Sequence, residues 1–345
     1  MRHWILFISL FTLLPSCRKG EVPSTDSPDE PIEKPIEVRF SSGISVSVNS
    51  EEERSRAPIT ESFLPPGKAV GVFGVLAKSD SPESCTLESV LAFDADFQKY
   101  LDNAQYVVSS TNGDLEQQYI AQYPSKGSQY DGLAFYAYYP YSEKVLPDDY
   151  TNYHYQIETK LNQSKMEDTE DYLYTGQQIS QTPSNDANNK VELTFYHALA
   201  RLHFELKSTT SEEVEVSNIV VVANCKPTGV MWIETGEVDW TEITRPPYAV
   251  YTYNIDKNLT QSSTLSAEFL LYPGATIKEI QCKIGGETYS IPIDVAGIKL
   301  ERGAYKTIVI TYSPKNVILD DDIKPWEDQG SIDTSIDETN KVGAN

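Results

Sequence analysis

Apolar residues in this chain recur at alternate positions far more often than at helical spacing. Ile36, Val38 and Phe40, followed by Ile44, Val46 and Val48, all fall on even positions with Ser, Glu, Arg and Asn between them. That period of two predicts one long extended segment with a single apolar face. The acidic knot Glu51-Glu52-Glu53 ends it, and Arg54-Ser55-Arg56-Ala57-Pro58 follows, an exposed polar stretch with two arginines that a protease can reach. From Phe63 onward short apolar runs are broken by turn residues, and hardly a window keeps a 3.6-residue period for three turns. The clearest predicted strands are Ala69 to Leu76, Gln105 to Val108, Gly132 to Tyr139, Val191 to Leu206 and Val214 to Ala223. Ala249 to Tyr253, Ala267 to Tyr272, Ile277 to Ile284 and Tyr305 to Tyr312 complete the set, so the expectation is an all-β chain. The polar tract from Gln181 to Asn189 has one Ala as its only apolar residue and reads as a linker between two halves. No repeat of about 20 to 50 residues suggests a propeller or solenoid.

The N-terminus follows another rule. Residues 1–4, MRHW, precede the apolar run Ile5 to Leu14, which is too short for a membrane span of ~20 residues but suits a signal peptide. Leu13-Leu14-Pro15-Ser16-Cys17 resembles the lipobox of bacterial lipoproteins. That resemblance implies cleavage after residue 16 and acylation of Cys17, whose acyl chains, at ~0.8 kcal/mol per buried CH₂, would anchor the chain to a membrane. Residues 17–35, rich in Pro, Ser, Asp, Glu and Thr and without apolar periodicity, read as a flexible tether.

Composition narrows the possibilities. With 345 residues, 39% of them hydrophobic, the chain can bury a core and is long enough for two domains. A net charge of −23 with no basic block argues against nucleic acid as a partner, because such binding rests on Lys and Arg contacts to phosphate.

Candidate chemistry is sparse. His197 and His203 lie six apart in one predicted strand, an even spacing that would put both on one face, but no neighbouring Cys or His completes a metal set, so packing is the expected role and no metal or cofactor is expected. Cys85, Cys225 and Cys282 include no Cys-x-x-Cys pair and allow at most one disulfide. Nucleophile elbow, phosphate loop, dinucleotide loop and His-Glu-x-x-His helix are all missing, so no catalytic residue is assigned and an enzyme is not expected. Asp320-Asp321-Asp322 with Glu327 and Asp328 lacks the spacing that wraps a calcium ion and reads as a solvated acidic turn. The stretch Phe135, Tyr136, Tyr138, Tyr139, Tyr141 has two readings: a half-buried strand with Leu133, Phe135, Ala137 and Tyr139 on one face, or aromatic faces offered to a sugar ring.

An ordered series of fragments then points to a family. Lipobox Cys17 and the strand ending near Arg56-Ala57 come first, then Lys68 to Phe73 and Leu133 to Tyr141. Asp171-Tyr172-Leu173-Tyr174, Phe195 to Leu202, Leu271-Tyr272-Pro273 and Leu300 to Tyr305 follow. The chain resembles the fimbrillin-like lipoproteins of Bacteroidales. The resemblance implies two transthyretin-like β-sandwich domains in tandem, an outer-membrane lipid anchor, and assembly of surface fimbriae by strand exchange with other subunits. It also implies that an arginine-specific protease cuts between Arg56 and Ala57, with Arg54 as the alternative, and removes the N-terminal strand. The resulting division is a signal peptide at 1–16, a tether at 17–35, a removable strand segment at 36–56, sandwiches at 57–182 and 190–315, and a tail at 316–345. Losing Val38, Phe40, Ile44, Val46 and Val48 from a sandwich forfeits about 1.5 to 3 kcal/mol per buried side chain, roughly 8 to 15 in all, against a domain stability of about 5 to 15 kcal/mol. An opened domain therefore needs a replacement strand. Val317, Ile318, Leu319, Ile323 and Trp326, beyond the last domain strand, are the candidate donor positions. The competing reading is a monomeric surface lipoprotein that binds host or dietary glycans through Tyr136 and Trp232.

Overall fold

The period-two segments fold as strands, and among the described residues one short helix interrupts them. The computed structural model describes residues 36–45, 63–78, 85–91, 96–110, 112–117, 120–125, 129–130, 132–148, 152–164, 170–179, 190–224, 227–240, 248–293 and 298–313. It also describes 317–322 and 332–335, by their backbone alone. In chain order the elements are β1 (Phe40–Ile44), β2 (Ala69–Ala77), α1 (Leu87–Leu91), β3 (Phe97–Val108), β4 (Asp114–Gln117), β5 (Gly132–Tyr139), β6 (Leu146–Asp148) and β7 (Asn152–Glu158). Next come β8 (Leu173–Tyr174), β9 (Gln178–Ile179), β10 (Val191–His197), β11 (Ala200–Ser208), β12 (Val214–Ala223), β13 (Thr228–Trp232), β14 (Val238–Trp240) and β15 (Ala249–Leu259). The last are β16 (Leu265–Leu271), β17 (Thr276–Ile284), β18 (Glu287–Pro292), β19 (Ile298–Lys299), β20 (Tyr305–Tyr312), β21 (Val317–Asp322) and β22 (Ile332–Ser335).

An eight-stranded sheet in the order β2-β3-β4-β1-β10-β8-β5-β9 also pairs β2 with β5, so seven of its strands close on themselves as a barrel and β9 joins β5 on the same edge as β8. Closure removes free sheet edges and encloses one apolar core. Alternate residues fill it: Val38 and Phe40 at and before β1, Val70 and Val72 from β2, Tyr106 from β3, Leu133 and Phe135 from β5, and Val191, Leu193 and Phe195 from β10. The opposite faces of β2 and β5 are buried as well, because Phe73, Val75, Tyr136 and Tyr138 belong to a second core. That explains why all eight residues of β5 are buried where the alternation predicted only a half-buried strand.

The second core also takes in two five-stranded sheets, β16-β11-β20-β21-β22 and β15-β12-β17-β18, and the four-stranded sheet β14-β13-β7-β6. The polar tract 181–189 lies outside the described residues. The strand that follows it, β10, joins the barrel beside β1, while β7 pairs with β13 of the later half, so strands cross that point in both directions.

Two local expectations change. The single predicted strand from Val191 to Leu206 is two strands, β10 in the barrel and β11 in another sheet, with Ala198 and Leu199 between them. The acidic run Asp320-Asp321-Asp322 is extended in β21 and pairs antiparallel with Val309, Ile308 and Thr307 of β20 rather than forming a turn. Tertiary pairing outweighs the poor strand propensity of Asp there.

Candidate functional site: the slot of the N-terminal strand

Strand β1 is a wall of the barrel, held along both edges. It runs parallel to β10, with Phe40 opposite Val191, Ser42 opposite Leu193 and Ile44 opposite Phe195, and antiparallel to β4 on its other side. The backbone ladder extends beyond the strand itself. Val38 N–H donates to Ala121 O at 2.9 Å, Tyr123 N–H to Ile36 O at 2.8 Å, Val191 N–H to Arg39 O at 2.8 Å and Ser45 N–H to Phe195 O at 2.9 Å. Removing residues 36–45 would strip β4, β10 and the segment around Ala121 and Tyr123 of these partners at once and turn a closed barrel into an open sheet with two free edges.

The slot has three distinct subsites. Phe40, 1% exposed, meets Tyr106 and Phe135 edge-to-face with centroids 5.0 and 4.7 Å apart, a geometry that adds ~1 kcal/mol to area burial. Ser42 is fully buried; its N–H and hydroxyl both donate to Gly113 O, at 2.7 and 3.1 Å. Gly113 has a φ of +79°, and a Cβ there would stand 2.3 Å from Ser42 O, so only glycine lets the loop before β4 come this close. Ile44 fills the third subsite. At Gly43 an added Cβ would meet Glu192 Oε1 at 2.8 Å. Lys190, just before β10, forms an ion pair with Asp114 of β4; since β1 lies between those strands, the pair closes over it like a clasp.

Of the residues singled out from the sequence, Val38, Phe40 and Ile44 come together in the barrel core. Cys17, Val46, Val48, Arg54, Arg56, Ala57, Cys225, Ile323 and Trp326 lie outside the described residues. Val317, Ile318 and Leu319 are placed by backbone only, in β21 against Tyr312, Thr311 and Ile310 of β20. Sequence reasoning missed Ser42, Gly113, Lys190 and Asp114. A four-residue strand with the sequence Asp-Leu-Glu-Gln has no alternation to reveal it, and nothing local pairs Lys190 with a partner 76 positions away.

His197 and His203 each face a carboxylate within the fold and do not share a site. His197 Nδ1 lies 2.7 Å from Asp171 Oδ2, both side chains buried. His203 Nδ1 lies 3.0 Å from Glu268 Oε1, and Arg201 Nε donates to Glu268 Oε2 at 2.6 Å. Burial works to raise the Glu268 carboxyl, but the hydrogen bonds from His203 and Arg201 outweigh it and hold the group below the ordinary glutamate range. Each of these pairs joins fragments that stood out in the sequence: Asp171 to His197, and Arg201, whose guanidinium lies 4.7 Å over the Tyr305 ring, to the segment ending at residue 305. Cys85 and Cys282 are buried, and burial pushes the Cys282 thiol up to about 12. Among the described residues no group of three or more His, Cys, Asp or Glu side chains could hold a metal ion, and no helix is long and apolar enough to cross a membrane.

The aromatic readings separate. Tyr136 is 1% exposed and its hydroxyl donates to Cys85 O at 2.9 Å, so it offers no face to a sugar. Trp232 lines an open groove of about 480 Å³ together with Glu237, Asp239, Lys299, Glu301 and Arg302.

Solved structures share the fold. A candidate cell adhesion protein from Bacteroides uniformis matches at 17% identity and a TM-score of 0.56, covering 85% of this chain and 99% of that one. A second, from Bacteroides ovatus, matches at 16% identity and 0.55, covering 87% and 98%. The fimbrial anchor protein Mfa2 from Porphyromonas gingivalis aligns over 85% of this chain and 100% of its own, at 9% identity and a TM-score of 0.34, too loose a likeness to argue from. Among curated proteins none matches. The fimbrillin-like family model matches residues 56–326, leaving β1 and β22 outside it, and the chain belongs to that family.

Proposed function

We propose that this protein is a subunit or accessory component of cell-surface fimbriae, exported as a lipoprotein anchored through Cys17 in the outer membrane and assembled by strand exchange. Membership of the fimbrillin-like family supports a fimbrial or adhesion-related role at the cell surface. The observation that carries the finer reading is the position of β1. Among the described strands of the barrel it alone precedes the arginine pair at 54 and 56, it is paired on both edges, and it delivers Val38, Phe40 and Ile44 to the core together with the residues just before it. A cut at Arg56, before Ala57, or alternatively at Arg54, leaves it attached by noncovalent contacts alone, and its departure opens a groove that another subunit's strand can fill. The donor is the tail at 316–345. In this reading the chain carries two sandwich-like units in tandem, the first being the closed ring of strands to which β10 and the removable strand both contribute.

Limited cleavage of the unlipidated protein by an arginine-specific protease should yield oligomers. Arg54→Ala/Arg56→Ala should stay monomeric, and truncation at Ser313 should be cut yet fail to polymerise. A cleanly cut protein that loses residues up to 56 and remains a stable monomer would count against the exchange.

The groove at Trp232 supports a second reading, glycan binding, since an aromatic side chain flanked by carboxylates and cations suits a saccharide's apolar face and hydroxyls. Trp232→Ala on a glycan array tests it: signal lost with the indole favours the lectin reading, and no signal from either protein removes it.

A further inference from the structure

Trp232 does not end the surface it belongs to. Its indole is backed by the His154 ring, with centroids 5.3 Å apart, and its groove runs to Arg302, an exposed side chain of the turn between β19 and β20. Arg302 Nη1 donates to Thr235 O at 2.7 Å, and the guanidinium lies 5.1 Å over the ring of Tyr174 in β8. Tyr174 in turn stands opposite Tyr196 of β10 in the barrel wall, with ring centroids 5.9 Å apart. Leu173 and Phe195 turn into the barrel core, so these two tyrosines turn out of it. Trp232, Arg302, Tyr174 and Tyr196 therefore form one band that carries the groove onto the outside of the barrel. Three of the fragments that stood out in the sequence, those holding Tyr174, Tyr196 and Arg302, meet in it.

The middle of the band is fixed in place. Gly236, in the turn between β13 and β14, has a φ of +65°, and a Cβ there would stand 2.1 Å from the Tyr174 ring, so that turn lies directly on the ring. Burial raises the Tyr174 phenol, Arg302 opposes the rise, and Tyr196 and Glu237 add to it, as expected of three side chains grouped round one ring. Tyr174 is thus a spine, whereas Tyr196 is 43% exposed and open to solvent.

Charge selects the occupant. Glu237, Asp239, Lys299 and Glu301 rim the groove, and among the described residues none of the four is in an ion pair. A sugar hydroxyl both donates and accepts, so it satisfies carboxylates and an ammonium alike, while a ligand of either charge meets repulsion from one set. An acidic saccharide would also approach against a net charge of −23. Aromatic side chains at both ends of the band suit the apolar faces of sugar rings.

We infer that this band binds a linear, neutral oligosaccharide, with one sugar on Trp232 in the groove and sugars further along the chain passing Arg302 to rest on Tyr196. Tyr174 is a positioning residue that holds Arg302 and Tyr196 in line. The inference rests on the glycan reading of the Trp232 groove and adds to it the class of saccharide and a second platform on the barrel.

The test titrates the full unlipidated chain, by calorimetry, with a disaccharide and a hexasaccharide of the neutral sugar that gives the strongest array signal, and with sialylated and sulphated oligosaccharides. The hexasaccharide should bind more tightly than the disaccharide, and Trp232→Ala should abolish both. Tyr196→Ala should weaken the hexasaccharide about tenfold and leave the disaccharide unchanged, while Tyr196→Phe, which keeps the ring, should match the parent on both. Equal urea midpoints check that the Tyr196 variants keep the fold. If Tyr196→Ala binds the hexasaccharide like the parent, the second platform is wrong while the groove stands. If the acidic oligosaccharides bind more tightly than the neutral ones, the class is wrong while the groove stands. If Trp232→Ala binds like the parent, or the parent binds no saccharide, the glycan reading of the groove fails and the inference with it.

Discussion

Phe40 carries more of the slot than its neighbours because two rings meet it edge-on inside a closed barrel. Phe40→Ala in the uncut chain should lose about 3 to 5 kcal/mol of stability by urea unfolding, the range for emptying a core aromatic position. An unchanged midpoint would mean that β1 is not packed as described. Glu268 makes a second residue-scale prediction. Its folded carboxyl sits below the ordinary value, so its contribution to stability is present above ~4.3, the usual glutamate value, and is lost as the pH falls through the lower folded value. The unfolding midpoint of the parent should therefore drop on acidification through that range more steeply than that of Glu268→Gln. Equal slopes would mean that the Arg201 and His203 hydrogen bonds do not hold the carboxylate in solution.

At the scale of the element, β1 is retained by a ladder, a core and a clasp, and the clasp is the separable part. Lys190 and Asp114 are about a quarter to a third exposed, so their pairing contributes at most about 1 kcal/mol. Lys190→Ala should leave the fold intact and, after cleavage at Arg56, speed release of the N-terminal fragment by up to about fivefold. Release at the parental rate would show that the ladder and core alone set the barrier. The alternation of Val38, Phe40 and Ile44 was readable in the sequence because a strand with one buried face writes its period into its composition. The neighbours of β1 were not. β4 is four residues long, and β3 reads as a strand only near Val108, because its first half is largely exposed and alternates nothing.

For the whole molecule, the proposed function assigns anchorage and assembly to separate residues, so each can be tested without the other. Cys17→Ala should leave the protein without a labelled acyl chain and release it from membranes, because no later segment is apolar enough to hold it. A Cys17→Ala protein that stays with the membrane fraction would sink the lipoprotein reading without touching the exchange at β1. A net charge of −23 means that two copies of this chain repel at long range, so any assembly of them would need buried contacts to hold it.

Local order was legible from one dimension: a nearly all-β chain, an apolar face carried by Val38, Phe40 and Ile44, and a family pattern several of whose fragments pack against one another. Side-chain period reports only which residues leave water, and that information is local. Which strand lies beside which is decided by backbone hydrogen bonds that carry no residue identity, so pairing had to come from the tertiary structure. It placed β1 between β4 and β10, split Val191 to Leu206 between two sheets, and buried both faces of β5 because the barrel wall is shared by two cores. It also showed Ser42 buried at the middle of the slot with its hydroxyl on the Gly113 carbonyl, a contact that the sequence could not announce because Gly113 stands 71 positions away.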